Sequence, residues 1–344
     1  MGSIVSGVAN DLASGLLQFY VREEMLSQTT QEKPLLKAFT EKSETFPGGL
    51  GQVSVPVQGV YMSDTAGFFA GYSEDDQLSF AQAQNMLRAN FNWKEHHAGL
   101  VITWSELKKD GITITDGNRQ KEHSKTDLIR LTSVMKNRLA DFGESWARAT
   151  EDLFWQDGSQ DAKAMPGVTS IVFDDPTVGA VGGLDPATYV WWRNRASLGI
   201  APSAENQTLV RTMTRDDIQI RRYGGKIDLR LCGSAFRDAV EMEVRGKGNY
   251  TLEGWSNRQD ISMGDFVLNN VVYKYEPWLD DHARSKYCYG FDTRRLKLRP
   301  MEGEMNKIVT PERPYNFMVF LRSMTLTSAL QCTQRNAIQV TSVS

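Results

Sequence analysis

The sequence predicts an α+β fold, because helical and strand patterns occupy different parts of one chain. A single apolar stripe at helical spacing runs from Ser124 to Trp155. Valines alternate with polar residues at positions 53, 55 and 57, and the last third consists of short β-branched and aromatic runs. Residues 203–245 alternate helix and strand patterns, which is the ordinary way of packing helices on a sheet.

The N-terminal segment predicts a helix followed by a less regular stretch. Its apolar residues recur at roughly helical spacing, at Val8, Leu12, Leu16, Phe19 and Leu26. The charged segment after them contains Pro34, which favours irregular structure. We interpret residues 1–50 as an arm that docks elsewhere.

Two alternating regions flank a long section rich in glycine and aromatic residues. The first contains the valines at 53–57, and the second contains Phe91, Trp93, Leu100, Ile102, Trp104, Ile112 and Ile114. An excursion of this length cannot bury much of itself against its own body, so it usually has a partner. We expect Phe68, Phe69 and Tyr72 at its tip to anchor it on another surface. The alternative is an ordinary surface hairpin whose aromatic residues fold back into their own loop.

The clearest helix begins at Ser124, where Ser124 and Asp127 have the spacing of a capping box. Its apolar positions are Leu128, Leu131, Met135, Leu139, Phe142, Trp146, Leu153 and Trp155. A helix of about thirty residues spans roughly 45 Å at 1.5 Å per residue, which suits a spine better than a compact helical hairpin. Half of a coiled coil is the alternative, which the lack of a second matching stripe disfavours. Asp157 and Gly158 predict its end.

A turn-rich stretch at residues 165–183 predicts a passage to another domain. Beyond the segment LDPATYVWWRNRAS, we expect separate elements at residues 204–213 and 216–222. A buried strand at residues 227–232 and a helix at residues 234–245 capped by Ser234 follow.

The sequence of the last third predicts short strands that carry no catalytic or ligand-binding residue pattern. Val267, Val271, Tyr273 and Tyr275 form one strand-like run, which Pro277 ends because proline cannot donate to a strand ladder. Further strands are predicted at residues 287–291, 296–298 and 315–330, with an edge strand at 338–343.

Composition excludes several classes of protein. The 344 residues are 40% hydrophobic, which suffices for a real core, and no run of about 18 apolar residues predicts a membrane span. Cys232, Cys288 and Cys332 lie far apart without metal-ligand spacing, which favours a reducing compartment. The formal charge is −3, and the first 45 residues hold four Lys/Arg against six Asp/Glu. A chain without a basic arm cannot condense nucleic acid by replacing counterions.

No residue pattern predicts catalysis, a metal site or a cofactor. His96 and His97 are adjacent and would point to opposite faces of a strand, so they would not chelate one ion readily. Acidic clusters at residues 74–76, 174–175 and 280–281 are typical of solvated faces. The sequence has two basic patches: Arg221 and Arg222 with Lys226, and Arg294 and Arg295 with Lys297 and Arg299. Because the chain is net acidic, ion pairs between subunits or weak lining contacts are favoured over a dedicated nucleic-acid site.

The last third resembles the C-terminal part of tailed-bacteriophage major capsid proteins, whose fold herpesvirus shells also share. The resemblance lies in a strand ending at Pro277, an Asp-rich turn, an aromatic strand running into Phe291-Asp292-Thr293, and then alternating basic and leucine residues. The segment GGLDPATYVWW at residues 182–192 is also similar to some branches of this family.

The resemblance implies a capsid fold with an N-terminal arm at 1–50 and an extended two-stranded loop at 51–121. A peripheral domain with the spine helix would comprise 122–185 and 286–344, and an axial α/β domain 186–285. It implies hexamers and pentamers of the chain in an icosahedral virion shell around double-stranded DNA, assembled in the cytoplasm of a host bacterium. The implied partners are other copies of the chain, a portal, scaffolding or decoration proteins, and weakly contacted DNA, without a membrane.

Some members of the family cross-link their shells through an isopeptide bond between a lysine on the extended loop and an asparagine on the next subunit. No lysine occurs between Lys42 and Lys94, so we expect a non-covalent shell. Two alternatives remain at this point: an encapsulin-type compartment with the same shell fold but an enzyme cargo, and a cytosolic hydrolase using one of the acidic clusters.

Overall fold

The computed structural model describes residues 4–5, 31–49, 51–64, 68–69, 71–77, 85–109, 114–115, 125–245, 266–268, 271–309, 311 and 319–344. The helix expected at residues 8–26, the capping residue Ser124, Ile112 and the start of the strand expected at 315 lie outside these ranges.

Six helices occur in the described residues: α1 Pro34–Glu41, α2 Trp104–Lys109, α3 Lys125–Trp155, α4 Thr208–Arg222, α5 Ser234–Arg245 and α6 Pro277–Asp281. The strands there are β1 Ile4–Val5, β2 Gln52–Val57, β3 Leu87–Asn92, β4 Lys94–Thr103, β5 Ile114–Thr115, β6 Arg195–Ile200, β7 Leu229–Cys232, β8 Phe266–Leu268, β9 Val271–Tyr275, β10 Tyr287–Phe291, β11 Leu296–Pro300, β12 Lys307–Val309, β13 Val319–Cys332 and β14 Gln339–Val343. The chain divides into two compact units, one from residues 1–31, 95–151 and 303–327, and the other from 32–94, 152–302 and 328–344.

The first unit contains most of α3 and the antiparallel pairing of β12 with β13, in which Ile308 lies opposite Met324. Strand β4 also pairs with β13. The Trp104 ring lies 6.3 Å from that of Phe320, and an ion pair joins Glu106 to Arg138. The expected alternation therefore stops before Trp104, which instead begins α2 and buries its ring against β13.

Helix α3 confirms the long helix predicted from the apolar stripe. It has 31 residues, about 46 Å at 1.5 Å per residue. Leu139 is buried, and the indole of Trp146 donates a hydrogen bond to the Asn306 side chain at 3.1 Å. The helix ends at Trp155, and Gly158 follows with a positive φ of 87°, as the stop signal at 157–158 predicts.

A six-stranded sheet organises the second unit, in the order β6-β14-β10-β7-β9-β8. Strand β14 lies in its interior, parallel to β6 and antiparallel to β10, so the expectation of an edge strand at 338–343 was wrong. All five residues of β14 are buried, because the strand has a neighbour on each edge and both of its faces are covered. Strands β8 and β9 form an antiparallel pair where a single run was expected.

Helices α4 and α5 pack beside this sheet. The two segments expected at 204–213 and 216–222 are one continuous helix, because Leu209, Met213 and Ile220 form a single buried stripe along it. Ser234 is the first residue of α5 and not its cap. Its backbone amide donates to the Asp280 carboxylate at 3.0 Å. Pro277 ends the strand as expected, and it also begins α6, where it is tolerated in the first turn.

The largest apolar core of the second unit surrounds Trp155 at the end of α3. Its ring stacks on Trp278 with centroids 5.2 Å apart and meets Tyr289 edge-on, also at 5.2 Å. The buried Arg335 guanidinium fixes the turn-rich stretch beside this core, donating to the Ile171 carbonyl at 2.7 Å and the Asn194 side chain at 3.0 Å. These contacts hold residues 171–194 against the sheet that carries β14.

Candidate functional site

The candidate site is the long loop between β2 and β3, together with the two strands that carry it. The strands pair antiparallel in register, with Val55 opposite Ala89 and Val57 opposite Leu87. Val53, Val55 and Val57 are buried on one face, which confirms the strand predicted from their alternation. Both ends of residues 58–86 are therefore held at the end of a regular two-stranded ribbon.

Two glycines anchor the ribbon and the start of the loop. Gly182 has a positive φ of 63°, and its carbonyl accepts a hydrogen bond from the Asn90 amide at 2.9 Å. A Cβ at Gly182 would lie 2.8 Å from the Ala89 Cβ, so only glycine permits this approach. At Gly59 a Cβ would overlap the Trp191 ring, so the loop leaves the ribbon directly over that tryptophan.

The loop presents aromatic side chains to solvent. Phe69 is 96% exposed, Tyr72 71% and Phe68 48%. Neither Phe69 nor Tyr72 folds back into its own loop in the single chain. Their exposure agrees with an anchoring role, which nevertheless remains a prediction.

Every charged residue of the loop is an aspartate or a glutamate. Between Lys42 and Arg88 the sequence contains no lysine or arginine. Asp64 and Asp76 accept hydrogen bonds at 2.8 Å from the backbone amides of Tyr61 and Ser73, so both stabilise local turns. Glu74 and Asp75 lie exposed next to Asp76.

The two basic patches that the sequence predicts differ in how far carboxylates of the same chain neutralise them. Arg294 pairs with the buried Asp292 at 3.0 Å, while Lys297 and Arg299 both pair with Glu44. Much of that patch is therefore neutralised within the chain. Arg221 and Arg222 lie exposed in the last turn of α4. Cations there interact favourably with the partial negative charge at the C-terminal end of the helix.

The acidic pairs have structural partners. Asp174 lies 3.5 Å from Arg284, and Asp175 accepts from the backbone and hydroxyl of Thr177, which lowers its pKa. Asp280 accepts from the Ser234 amide and from the Tyr275 hydroxyl. In the described parts of the chain, no group of three or more His, Cys, Asp or Glu side chains could hold a metal ion. Among those same residues, no helix is both long and apolar enough to cross a membrane.

Sequence reasoning missed the residues that hold the site in place. Gly59, Gly182 and Trp191 act through contacts between segments far apart in the chain, and no local pattern indicates those contacts. Arg211 and Arg215 on α4 were also missed. Their spacing with Arg222 becomes visible only when residues 208–222 are treated as one helix.

No protein-family model and no curated protein matches this sequence. Solved structures do match. A chain of the cyanophage A-1(L) capsid asymmetric unit has a TM-score of 0.63 at 12% identity, covering 93% of this chain and 95% of that one. The capsid of a native GTA particle has a TM-score of 0.53 at 14% identity, covering 94% and 96%. A Gordonia phage Cozz structure has a TM-score of 0.53 at 13% identity, covering 93% and 89%. At such identities the likeness establishes a shared fold over nearly the whole chain.

Proposed function

We propose that this chain, which has the fold of tailed-phage capsid subunits, is a major capsid protein. Its copies would assemble as hexamers and pentamers into the icosahedral shell that encloses the double-stranded DNA of a tailed bacteriophage. The observation that carries the proposal is the match to capsid chains over at least 93% of this chain in each of the three structures above. The virion capsid would then be its final location, after assembly in the host bacterial cytoplasm.

The long loop supports this function because its exposed aromatic side chains have no covering surface within the described part of one subunit. Exposed aromatic side chains such as Phe69 and Tyr72 gain free energy when another protein surface covers them. In a shell the covering surface is a neighbouring copy, and each subunit makes the same contacts. Closed symmetry then sums many weak contacts into a stable particle.

The charge of the chain supports a shell that is filled after it forms. The net charge is −3 and the N-terminal segment is not basic, so the chain cannot condense DNA during assembly by replacing counterions. DNA would instead enter through a portal, and its contact with the inner wall would be weak and non-specific. Scaffolding or decoration proteins are further proposed partners.

A structural role without catalysis agrees with the polar groups described above. The acidic pairs at 174–175 and 280–281 neutralise an arginine, stabilise a turn or satisfy the start of α5. A hydrolase would need such groups to converge on a substrate in a cleft.

Expression of the chain followed by light scattering and negative-stain imaging tests the proposal. We expect capsomers or closed shells when concentration and salt are varied. A monodisperse species of 38.7 kDa under every condition would refute self-assembly. Particles purified from their natural source should contain nuclease-protected DNA, whereas a packaged enzyme in place of DNA would indicate an encapsulin-type compartment.

A further inference from the structure

The solvent-facing side of α4 carries a row of cations. Arg211, Arg215 and Arg222 are exposed at positions i, i+4 and i+11, and Ile218 lies between them at i+7 with 60% of its surface exposed. On an α-helix these four positions share one face. We call them the basic face of α4.

Both acidic residues of α4 point away from this face. Asp217 pairs with the buried Arg230, and Asp216 accepts from Ser197 at 2.5 Å and Gln339 at 2.9 Å. Among the described residues, no carboxylate forms an ion pair with Arg211, Arg215 or Arg222. The basic face is therefore unneutralised within the part of the chain that the structure describes.

The long loop has the complementary composition. Within a few residues along the chain it carries the exposed acids Glu74 and Asp75 and the exposed aromatic residues Phe69 and Tyr72, in a stretch without lysine or arginine. We call these four residues the acidic loop patch. The loop patch and the basic face are both exposed in the single chain, so neither covers the other within one subunit.

We propose that the basic face of α4 receives the acidic loop patch of a neighbouring copy. Arg215 and Arg222 would pair with Glu74 and Asp75, and Ile218 would contact the aromatic rings. Arginine also stacks favourably on such rings. This inference rests on the proposed self-assembly and assigns the loop a specific receiving surface.

The contact would be heterologous, because two different surfaces of the same chain meet. A heterologous contact repeated by rotation closes into a ring when the angle permits, which is the geometry of a hexamer or pentamer. Its ion pairs would be exposed at their edges, so salt should weaken it, since the screening length falls to about 3 Å at 1 M salt.

A charge swap tests the contact. Arg215→Glu with Arg222→Glu should reduce particle yield about tenfold or more, and Glu74→Lys with Asp75→Lys should do the same. The chain carrying all four changes should recover most of the yield. Lys37→Glu with Lys163→Glu makes the same change in net charge at exposed positions outside both surfaces, and should assemble normally. Circular dichroism of each soluble subunit checks that folding is unchanged.

A binding assay tests this contact independently of whether the chain assembles into shells. A fluorescent peptide of residues 68–77 should bind the wild-type subunit at low salt, and at least about tenfold more weakly to the Arg215→Glu/Arg222→Glu variant. The same peptide with Glu74→Lys and Asp75→Lys should show the reverse preference. Equal binding to both proteins would overturn the proposed contact even if the wild-type chain assembles into shells.

The remaining outcomes also contradict the proposal. Normal assembly of the helix variant would show that the basic face is not needed. Loss of assembly without recovery in the four-change chain would indicate a different acidic partner for the face. Normal assembly with reduced DNA retention would assign the face to nucleic acid.

Discussion

The buried carboxylate of Glu243, on α5, accepts a hydrogen bond from the Leu209 amide at the start of α4, at 3.0 Å. It also accepts from the amides of Ser203 at 2.8 Å and Val210 at 3.0 Å. Residue 207, at the cap position of α4, makes no side-chain capping bond. A side chain from a neighbouring helix therefore satisfies amides that a local cap normally serves.

Glu243→Gln should destabilise the subunit by about 2–3 kcal/mol, because it removes a charged acceptor from several buried amides. Thermal or urea unfolding of the purified subunit measures the change. Asp238→Asn, on the exposed side of the same helix, is the matched control and should change stability by less than about 0.5 kcal/mol. Equal stability of the two variants would contradict the capping role.

Replacing Phe68 and Phe69 with serine should impair particle formation while leaving a soluble, folded subunit. The rings are exposed in the single chain, so their loss costs little folding energy and removes contact area from the assembled state. Particle yield by electron microscopy checks this. Val178→Ser removes an exposed apolar side chain elsewhere and should leave the yield unchanged. A normal yield of the double serine variant would count against the loop as an anchor.

Gly59→Ala should displace the beginning of the long loop, because the added methyl group would overlap the Trp191 ring. Overpacking of this kind costs about 1–3 kcal/mol. A shift in tryptophan fluorescence and a lower unfolding temperature would report it. Gly71→Ala meets no atom within 4 Å and serves as the control.

The assembled shell should dissolve to monomers in SDS. No lysine lies between Lys42 and Lys94, so the loop offers no amine for an isopeptide bond. An SDS gel of purified particles should show a single band near 38.7 kDa. A ladder of larger species would disprove the non-covalent shell.

Stability should fall at alkaline pH. Burial raises the pKa of the Cys288 and Cys332 thiols to about 12 each, and burial and the Asp280 carboxylate raise that of Tyr275 to about 12. The folded state therefore holds these protons more tightly than the unfolded state. Their contribution is complete below the ordinary thiol pKa of 9.0 and is lost as pH rises toward 12. The urea midpoint should accordingly be lower at pH 10.5 than at pH 8.

Removing the two thiols tests the origin of that decline. The Cys288→Ala/Cys332→Ala variant should lose less stability than the wild-type chain over the same interval, although it starts from a lower value because of the small cavities. An identical decline in both proteins would mean that other groups control alkaline unfolding.

Sequence patterns identified the elements whose signal is local. The apolar stripe of α3 and the alternation of Val53, Val55 and Val57 depend only on neighbouring residues, and both elements occur where expected. The interior position of β14 was missed because strand order depends on pairing between distant segments. Separate segments were expected at residues 204–213 and 216–222, whereas Met213 and Asp216 both face the protein interior on one helix. The order of elements along the chain also pointed to the fold that the solved structures share.

The proposed domain boundaries at 50, 121, 185 and 285 remain predictions, as do the contacts of Phe68, Phe69, Tyr72, Arg221, Arg222, Arg294 and Arg295 with other subunits. Contacts between copies depend on surfaces that a single chain leaves open.

No lysine or arginine lies between Lys42 and Arg88, so trypsin cannot cleave within the long loop, whereas chymotrypsin can. Trypsin must leave residues 43–88 as a single fragment whether or not the loop is covered. Chymotrypsin cleaves after aromatic residues, and Phe69 and Tyr72 stand open to it in the free chain. Under the proposed contact, chymotrypsin cleavage after Phe69 and Tyr72 should slow as particles form, which gives a label-free measure of how many loops are covered.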